Sequence, residues 1–259
     1  MPRRSARAAG AATPRAPPPP SSRRQVIAKA HSLRSIIEGR PGAKRPPTGP
    51  AQLARLVGAA GVGDARVLAA LGSVRRAAFV PADQVDRAYS DEPIPIPHGQ
   101  VTTQPSLVAR MLEALALEGR ERVLEVGTGY GFQTALLARL AREVISVERF
   151  ADLAAAARDN LESQGVTGVE ILVADGSRGL PARAPFDAVV VSAAFPRVPP
   201  PLVEQLVPGG RLVQPVGPGG HDEVVLFERG LAGLERRRSI TPAHFVKLYG
   251  THGFRRDGS

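Results

Sequence analysis

The chain has 259 residues, a formal net charge of +10, 43% hydrophobic and 22% charged residues, and no cysteine. The hydrophobic share supports one good-sized core, the missing cysteine excludes disulfides and cysteine-based metal or nucleophile sites, and the five histidines show no ligand spacing, so no metal is expected. The positive charge looks at first like a nucleic-acid signal, but residues 1–50 hold 11 of the 34 Lys+Arg against a single acid, Glu38, which leaves residues 51–259 balanced.

The same N-terminal stretch holds 10 of the 25 prolines, including Pro17 to Pro20. Such a composition buries too little apolar surface to offset the entropy of ordering. Residues 1–48 are therefore expected to be a disordered basic tail, with a transient amphipathic helix through Val26, Ile27, Leu33, Ile36 and Ile37. An Arg-rich, acid-poor extension also fits an organelle address or a nucleic-acid contact, and a plain solvated extension is favoured over both. Without an 18-residue apolar run or a signal-peptide core, a cytoplasmic, monomeric protein is expected.

Residues 49–259 are expected to form one domain. "AQLARLVGAAGVGDARVLAALGSV" has apolar residues at helical spacing broken by glycines, which predicts two short helices. "RAAFVPADQVDRAYSDE" reads as an irregular connector. "PIPIPHGQVTTQP", Pro93 to Pro105, follows; its prolines exclude a helix interior or a central strand. Between them it carries His98, Gln100, Thr102, Thr103 and Gln104. The adjoining "SLVARMLEALAL" places Leu107, Val108, Met111, Leu112 and Leu115 on one helical face.

The texture then becomes regular. "RVLEV", "EVISVE", "VEILVAD", "FDAVVVSAA" and "RLVQPV" read as strands, the last after a "PGG" turn. "FQTALLARLA", "FADLAAAARDNLESQG" and "PPLVEQLV" read as the helices between them. This alternation predicts an α/β fold with a mostly parallel doubly wound sheet, preceded by N-terminal helices. "EVVLFER" and "HFVKLY", separated by the polar "GLERRRSITP", are expected as late antiparallel strands.

The sharpest chemical signal is "VLEVGTGYGFQT". Alternating glycines at 127, 129 and 131 follow a strand and open a helix, so the backbone can approach a ligand closely. The dinucleotide fingerprint places its third glycine three residues after its second, which argues against a nicotinamide oxidoreductase. The spacing here, preceded by Glu125, resembles that of S-adenosylmethionine-dependent methyltransferases. That resemblance implies a cofactor site of Glu125, Gly127, Thr128, Gly129 and Gly131. Glu148 ends the next strand, 21 residues after Gly127, where an acid is placed to accept ribose hydroxyls. Asp175 and Gly176, after the third strand, are placed for the adenine amino group and ring nitrogen. These acids speak against a nucleic-acid-binding module with a vestigial cofactor site.

The proline loop narrows the substrate. "PIPIPHGQVTTQPSLVARMLEAL" resembles the segment ahead of the first strand in protein-L-isoaspartate O-methyltransferases. "SVRRAAFVP", "GTGYGFQTALLARLAREVISVER" and "APFDAVVVSAAFPRVPPPLVEQLVPGGRLVQPVG" continue the likeness, which covers most of residues 60–250. It implies methyl transfer to the free α-carboxylate of isoaspartyl residues in damaged proteins or peptides, followed by succinimide formation. Thr103 stands at the family's active-site serine, and Thr102, His98, Gly99 and Gln104 are assigned to the surrounding substrate loop. Pro97, Thr103 and Ser106 depart from the usual Gly, Ser and aromatic residue. The runner-up reading is a relative acting on another carboxylate, such as an aspartyl side chain of a dedicated peptide. A hydroxyl ahead of a helix with Pro in its first turn also suits an N-cap.

Overall fold

The computed structural model describes residues 47–255. The expected tail over residues 1–46, with its transient helix and any nucleic-acid contact, lies outside the described residues.

Two short helices come first, α1 (Pro50–Ala59) and α2 (Ala65–Ser73), followed by single 3-10 turns at Arg76–Phe79 and Ala82–Arg87. The proline loop forms a small antiparallel hairpin of β1 (Ile94–Ile96) and β2 (Gln100–Thr102), separate from the main sheet. Helix α3 (Pro105–Leu115) leads into β3 (Arg122–Val126). Then come α4 (Phe132–Leu137), β4 (Glu143–Glu148), α5 (Ala151–Ser163), β5 (Val169–Val173) and β6 (Phe186–Val191). The series closes with α6 (Pro200–Glu204), β7 (Leu206–Val216), β8 (Asp222–Gly230) and β9 (Gly233–Ala243).

Local chemistry explains the helix starts. Pro50, Pro105 and Pro200 occupy first positions, where the missing N–H would have had no intrahelical partner. Asp64 caps α2 by accepting from the amides of Arg66 (2.8 Å) and Val67 (3.2 Å). Glu113 on α3 accepts from the amides of Gly63 (2.7 Å) and Asp64 (2.8 Å) and so clamps the α1–α2 turn.

The seven-stranded sheet runs β5-β4-β3-β6-β7-β8-β9, parallel through β7 and antiparallel beyond it. Both faces are covered, and alternate residues of one strand enter different cores. Val123 and Val190 join the core under α1 to α5, whereas Leu124, Val189 and Val191 join Leu202 of α6 on the other face. The chain builds outward from β3 to β5, then returns to place β6 on the other side of β3. Such a reversal opens a crevice at the carboxyl ends of the strands, the usual ligand position in open α/β sheets.

The end of the sheet corrects the sequence expectation. β8 pairs from Asp222↔Ala243 to Gly230↔Gly233 with β9, which is the polar stretch expected as a connector. An edge strand needs no apolar face, and its partners are charged: Arg236 with Glu223 (2.5 Å) and Arg237 with Glu228 (3.1 Å). "HFVKLY" is not a sheet strand. It runs beside the segment that follows β6, where the Ala194 amide donates to Val246 O and the Leu248 amide to Ala194 O, both at 2.8 Å. Its apolar character comes from Phe245 and Leu248, which are buried there. The "PGG" turn is absorbed into β7 as an irregularity, since Phe186 pairs with Leu206 but Ala188 with Arg211. Among the described residues no helix is long and apolar enough to cross a membrane.

Replacing Glu113 with Ala removes two charge-assisted bonds between α3 and the α1–α2 turn. Denaturant unfolding should show a loss of about 1–2 kcal/mol; an unchanged midpoint would mean that water replaces the carboxylate at no cost.

Candidate active site

A cleft of about 430 Å³ lies at the carboxyl ends of β3, β4 and β6. The glycine loop, Glu148 and Ser192 supply one wall, and the loop from Gln100 to Gln104 supplies another. Residues 241–246 close a third side. The cleft thus gathers Thr102, Thr103, Gln104, Gly127, Thr128, Gly129 and Glu148. His98, Gly99, Glu125, Gly131, Asp175 and Gly176 are not on its wall.

The glycine loop is held from several sides. All three glycines have positive φ, with 97° at Gly127, and a Cβ there would stand 3.3 Å from the Ser192 Cβ. The Gly127 amide donates to Val147 O (2.8 Å) and the Gly129 amide to Glu148 Oε2 (2.9 Å). Glu148 Oε1 accepts from the amides of Arg149 (2.8 Å) and Phe150 (3.1 Å). A carboxylate has about four lone-pair sites, so acceptor capacity remains beside the cleft.

Glu125 sits beneath this loop. It is fully buried and accepts from the Thr134 hydroxyl (2.5 Å), the Ser146 hydroxyl (2.7 Å) and Gln133 Nε2 (3.0 Å). Because Ser146 donates to Glu125, the 2.6 Å contact between Thr128 and Ser146 has Thr128 as donor. Gln133 also donates to Ser192 Oγ (3.0 Å), while its own Oε1 is buried with no partner among the described residues. Burial pushes the Glu125 carboxyl up to about 7, against the pull of its three donors. The sequence expectation placed Glu125 on the cofactor; the structure places it one layer behind, where it braces the loop.

The substrate loop hangs on Arg76, which the sequence reading did not single out. This guanidinium is fully buried. Its Nη1 donates to the carbonyls of Ala88 (3.1 Å) and Ser90 (2.9 Å). Its Nη2 donates to Glu92 O (2.9 Å), Thr102 Oγ1 (2.9 Å) and Thr103 O (3.3 Å). It also lies 5.4 Å from the ring centroid of Phe132, the first residue of α4. Burial lowers its pKa to about 10, partly opposed by Asp91, so it stays charged at neutral pH. Asp91 itself, likewise missed, accepts from the Ser106 amide (2.8 Å) and Gln104 Nε2 (3.0 Å), capping α3 from across the connector. The N-cap reading of "TTQP" is therefore not realised: Gln104 holds that position without a side-chain cap. The Thr103 hydroxyl has no partner among the described residues and borders the cleft.

The remaining expected residues lie outside the cleft. His98 turns away from it with a left-handed backbone (φ 61°), stacks on Phe150 at 4.1 Å and meets Asp152 at 2.7 Å. Gly99 completes that turn (φ 66°). Gly131 ends the glycine loop as the N-cap position of α4. Asp175 accepts from the Ser177 hydroxyl (2.6 Å) and amide (3.0 Å) and from the Thr251 amide (2.7 Å). Burial pushes its carboxyl up, but these donors outweigh that and hold it below the usual range. Gly176 packs so tightly that a Cβ would stand 2.4 Å from Val126 Cγ1. Residues 241–246, by contrast, reach the cleft with no signal in their sequence beyond the apolar run of "HFVKLY".

Two outcomes follow from the buried charges. Arg76→Met should lower stability by about 3 kcal/mol or more in denaturant unfolding, because several buried acceptors lose their donor together. Arg76→Lys should recover only part of this, since an ammonium lacks the planar fork. For Glu125, the folded pKa of about 7 lies above the ordinary 4.5. The folded form therefore binds more protons, and this group's contribution is complete below about 4.5 and lost as pH rises through about 7. Stability measured across that window should fall with pH in the wild type by on the order of 3 kcal/mol more than in Glu125→Gln. Parallel curves would remove the shift.

Comparison with known proteins identifies the family. The profile of the family described as protein-L-isoaspartate(D-aspartate) O-methyltransferase matches residues 51–253. A protein-L-isoaspartate O-methyltransferase of Methanoculleus marisnigri is 49% identical over 197 residues, covering 76% of this chain and 89% of the relative. One from Anaeromyxobacter dehalogenans strain 2CP-1 is 51% identical over 199 residues, covering 76% and 95%. A solved protein-L-isoaspartate O-methyltransferase superposes with a TM-score of 0.68 at 26% identity, over 78% of this chain and 66% of that one. A Plasmodium falciparum protein solved in complex with S-adenosyl-L-homocysteine shares the fold, with a TM-score of 0.69 at 20% identity over 78% and 99%. The chain belongs to the protein-L-isoaspartate(D-aspartate) O-methyltransferase family.

Proposed function

We propose that this chain acts in the cytoplasm, as a monomer, transferring a methyl group from S-adenosylmethionine to the free α-carboxylate of isoaspartyl residues in damaged proteins and peptides. The observation that carries the reading is the unpartnered Thr103 hydroxyl on a cleft whose other wall is the glycine loop.

The residues present fit the cofactor. Gly127 admits a close backbone approach, and the buried Gln133 Oε1 beside the cleft has no donor among the described residues. The amides of the loop from Gly127 to Gly129, Glu148 and Gln133 would hold it. When bound, the cofactor supplies a methyl group on a cationic sulfonium. An α-carboxylate has a pKa near 3.5, so it arrives ionised and no general base is required. What remains for the protein is alignment, which can be worth roughly 7–11 kcal/mol.

That task falls to the loop residues. Thr103 donates its hydroxyl to one carboxylate oxygen, leaving the other to react. Arg76 fixes the backbone under that hydroxyl through Thr103 O and Thr102 Oγ1, and Asp91 holds Gln104 and the start of α3. The β1–β2 hairpin covers the cleft through Ile96, which lines it. Neutralised by methylation, the carboxyl becomes a better electrophile: the following backbone amide nitrogen attacks its carbonyl carbon, the C–OCH3 bond breaks, and methanol leaves with the amide proton, closing a succinimide without further help from the enzyme.

The test compares one synthetic peptide in isoaspartyl and aspartyl forms, with base-labile methylation as the readout. Label should enter the isoaspartyl form alone. In Thr103→Val, turnover should fall by about 10- to 100-fold, the loss of one charge-assisted hydrogen bond and its alignment, while cofactor affinity stays. Equal turnover in variant and wild type would take Thr103 out of the reaction, and label in the aspartyl form would point to a different carboxylate.

A further inference from the structure

Thr103 is one end of a longer wall. Leu107 and Arg110 follow it by four and seven residues, the spacing of a single helix stripe, and all three line the cleft. The stripe passes from a hydroxyl, over an aliphatic side chain, to a guanidinium. At about 1.5 Å per helical residue, Arg110 stands on the order of 10 Å beyond Thr103. Thr241, Pro242 and Ala243 at the end of β9 line the same cleft, and α3 packs against β9.

Among the described residues on the cleft wall, Arg110 is the only arginine or lysine and Glu148 the only acid. They do not compensate each other, because Glu148 is taken up by the amides of Gly129, Arg149 and Phe150. Arg110 is half-buried and makes one hydrogen bond, from Nη2 to Ala60 O (2.6 Å) at the carboxyl end of α1. That bond fixes the head group, and a helix carboxyl end suits a cation. It uses one of five N–H donors; the others have no partner among the described residues, and Arg110 forms no ion pair there. Glu113, one turn further along α3, is committed to the amides of Gly63 and Asp64. A tie to α1 accounts for one donor. The charge itself stays uncompensated beside a groove that must take up a peptide.

We infer that Arg110 is a specificity-determining residue that selects isoaspartyl peptides carrying a second carboxylate, an aspartate or glutamate side chain, a few residues from the damaged one. The inference rests on the reading that Thr103 holds the reacting carboxylate. An extended peptide advances about 3.3 Å per residue, so the span from Thr103 to Arg110 corresponds to about three residues. The reach of the two side chains widens this to roughly two to four residues. Leu107 lies between and offers an intervening side chain an apolar contact. The second carboxylate takes no part in the bonds that form and break. Arg110 therefore holds it equally before and during transfer, and such uniform binding lowers KM and leaves kcat alone.

The test is a peptide scan with the full chain. Synthetic isoaspartyl peptides, otherwise uncharged, carry glutamate or glutamine singly at each nearby position on either side of the isoaspartyl residue. In the wild type, one position roughly two to four residues away should give a kcat/KM about three- to tenfold higher with glutamate than with glutamine, through KM. Salt at about 0.5 M should shrink that ratio. In Arg110→Gln the ratio at that position should fall to about one, and Arg110→Lys should keep part of it, as a cation without the fork. Each ratio compares two peptides on the same protein, so any stability lost with the Ala60 bond cancels. A ratio near one at every position in the wild type overturns the inference, as does a preference that survives in Arg110→Gln; methylation of the peptides then leaves the functional reading intact. Failure to methylate any isoaspartyl peptide overturns both. Should Arg110→Gln not fold, the wild-type scan decides alone, and a ratio near one throughout overturns the inference.

Discussion

The guanidinium of Arg76 joins three pieces of chain at one buried point. The connector contributes the carbonyls of Ala88, Ser90 and Glu92, the proline loop contributes Thr102 and Thr103, and α4 contributes the Phe132 ring. A buried cation is costly unless its donors find acceptors. Four carbonyls and the Thr102 hydroxyl accept from the two terminal nitrogens of Arg76 without an acid, while its Nε has no partner among the described residues. The loop that carries Thr103 takes its position from this arrangement rather than from a sheet of its own.

Beneath the glycine loop stands an inverse case. There the buried group is a carboxyl and its partners are hydroxyls and an amide: Thr134, Ser146 and Gln133. Strand alternation puts Glu125 on the face that α4 covers, so Gln133 and Thr134 come to it from the first turn of that helix. The two charges divide the work of the site. Arg76 holds the wall where a substrate carboxylate would lie, and Glu125 braces the wall where the cofactor would lie. Between them the cleft is shaped by groups that do not line it.

The central strands, the helices and the glycine loop were legible because each announces itself locally, through an apolar run, a 3.6-residue period or a residue that tolerates positive φ. The edge was not. β9 consists of "GLERRRSITPA", and its pairing is carried by main-chain bonds and by glutamates on β8, neither of which leaves a pattern in β9 itself. Arg76 and Asp91 were invisible for a related reason, since a buried charge satisfied by distant carbonyls or by a helix start looks like any surface residue in a string of letters. Thr102, Thr103 and Gln104 were placed at the cleft from the loop they share. His98, in the same loop, was expected beside substrate but is drawn off by Phe150 and Asp152, on a helix that begins 53 residues later in the chain.

The two attachments of the proline hairpin differ in kind. At one end Arg76 grips Thr102 and Thr103 from inside the protein, out of reach of salt and solvent. At the other, His98 rests on Phe150 and pairs with Asp152, whose side chain is 62% exposed. Exposed polar contacts between side chains contribute little to stability. The flap is therefore pinned at the end that touches chemistry and only tacked at its tip. The end that holds the Thr103 hydroxyl and the tip are thus fixed by different residues, and each attachment can be altered without touching the other.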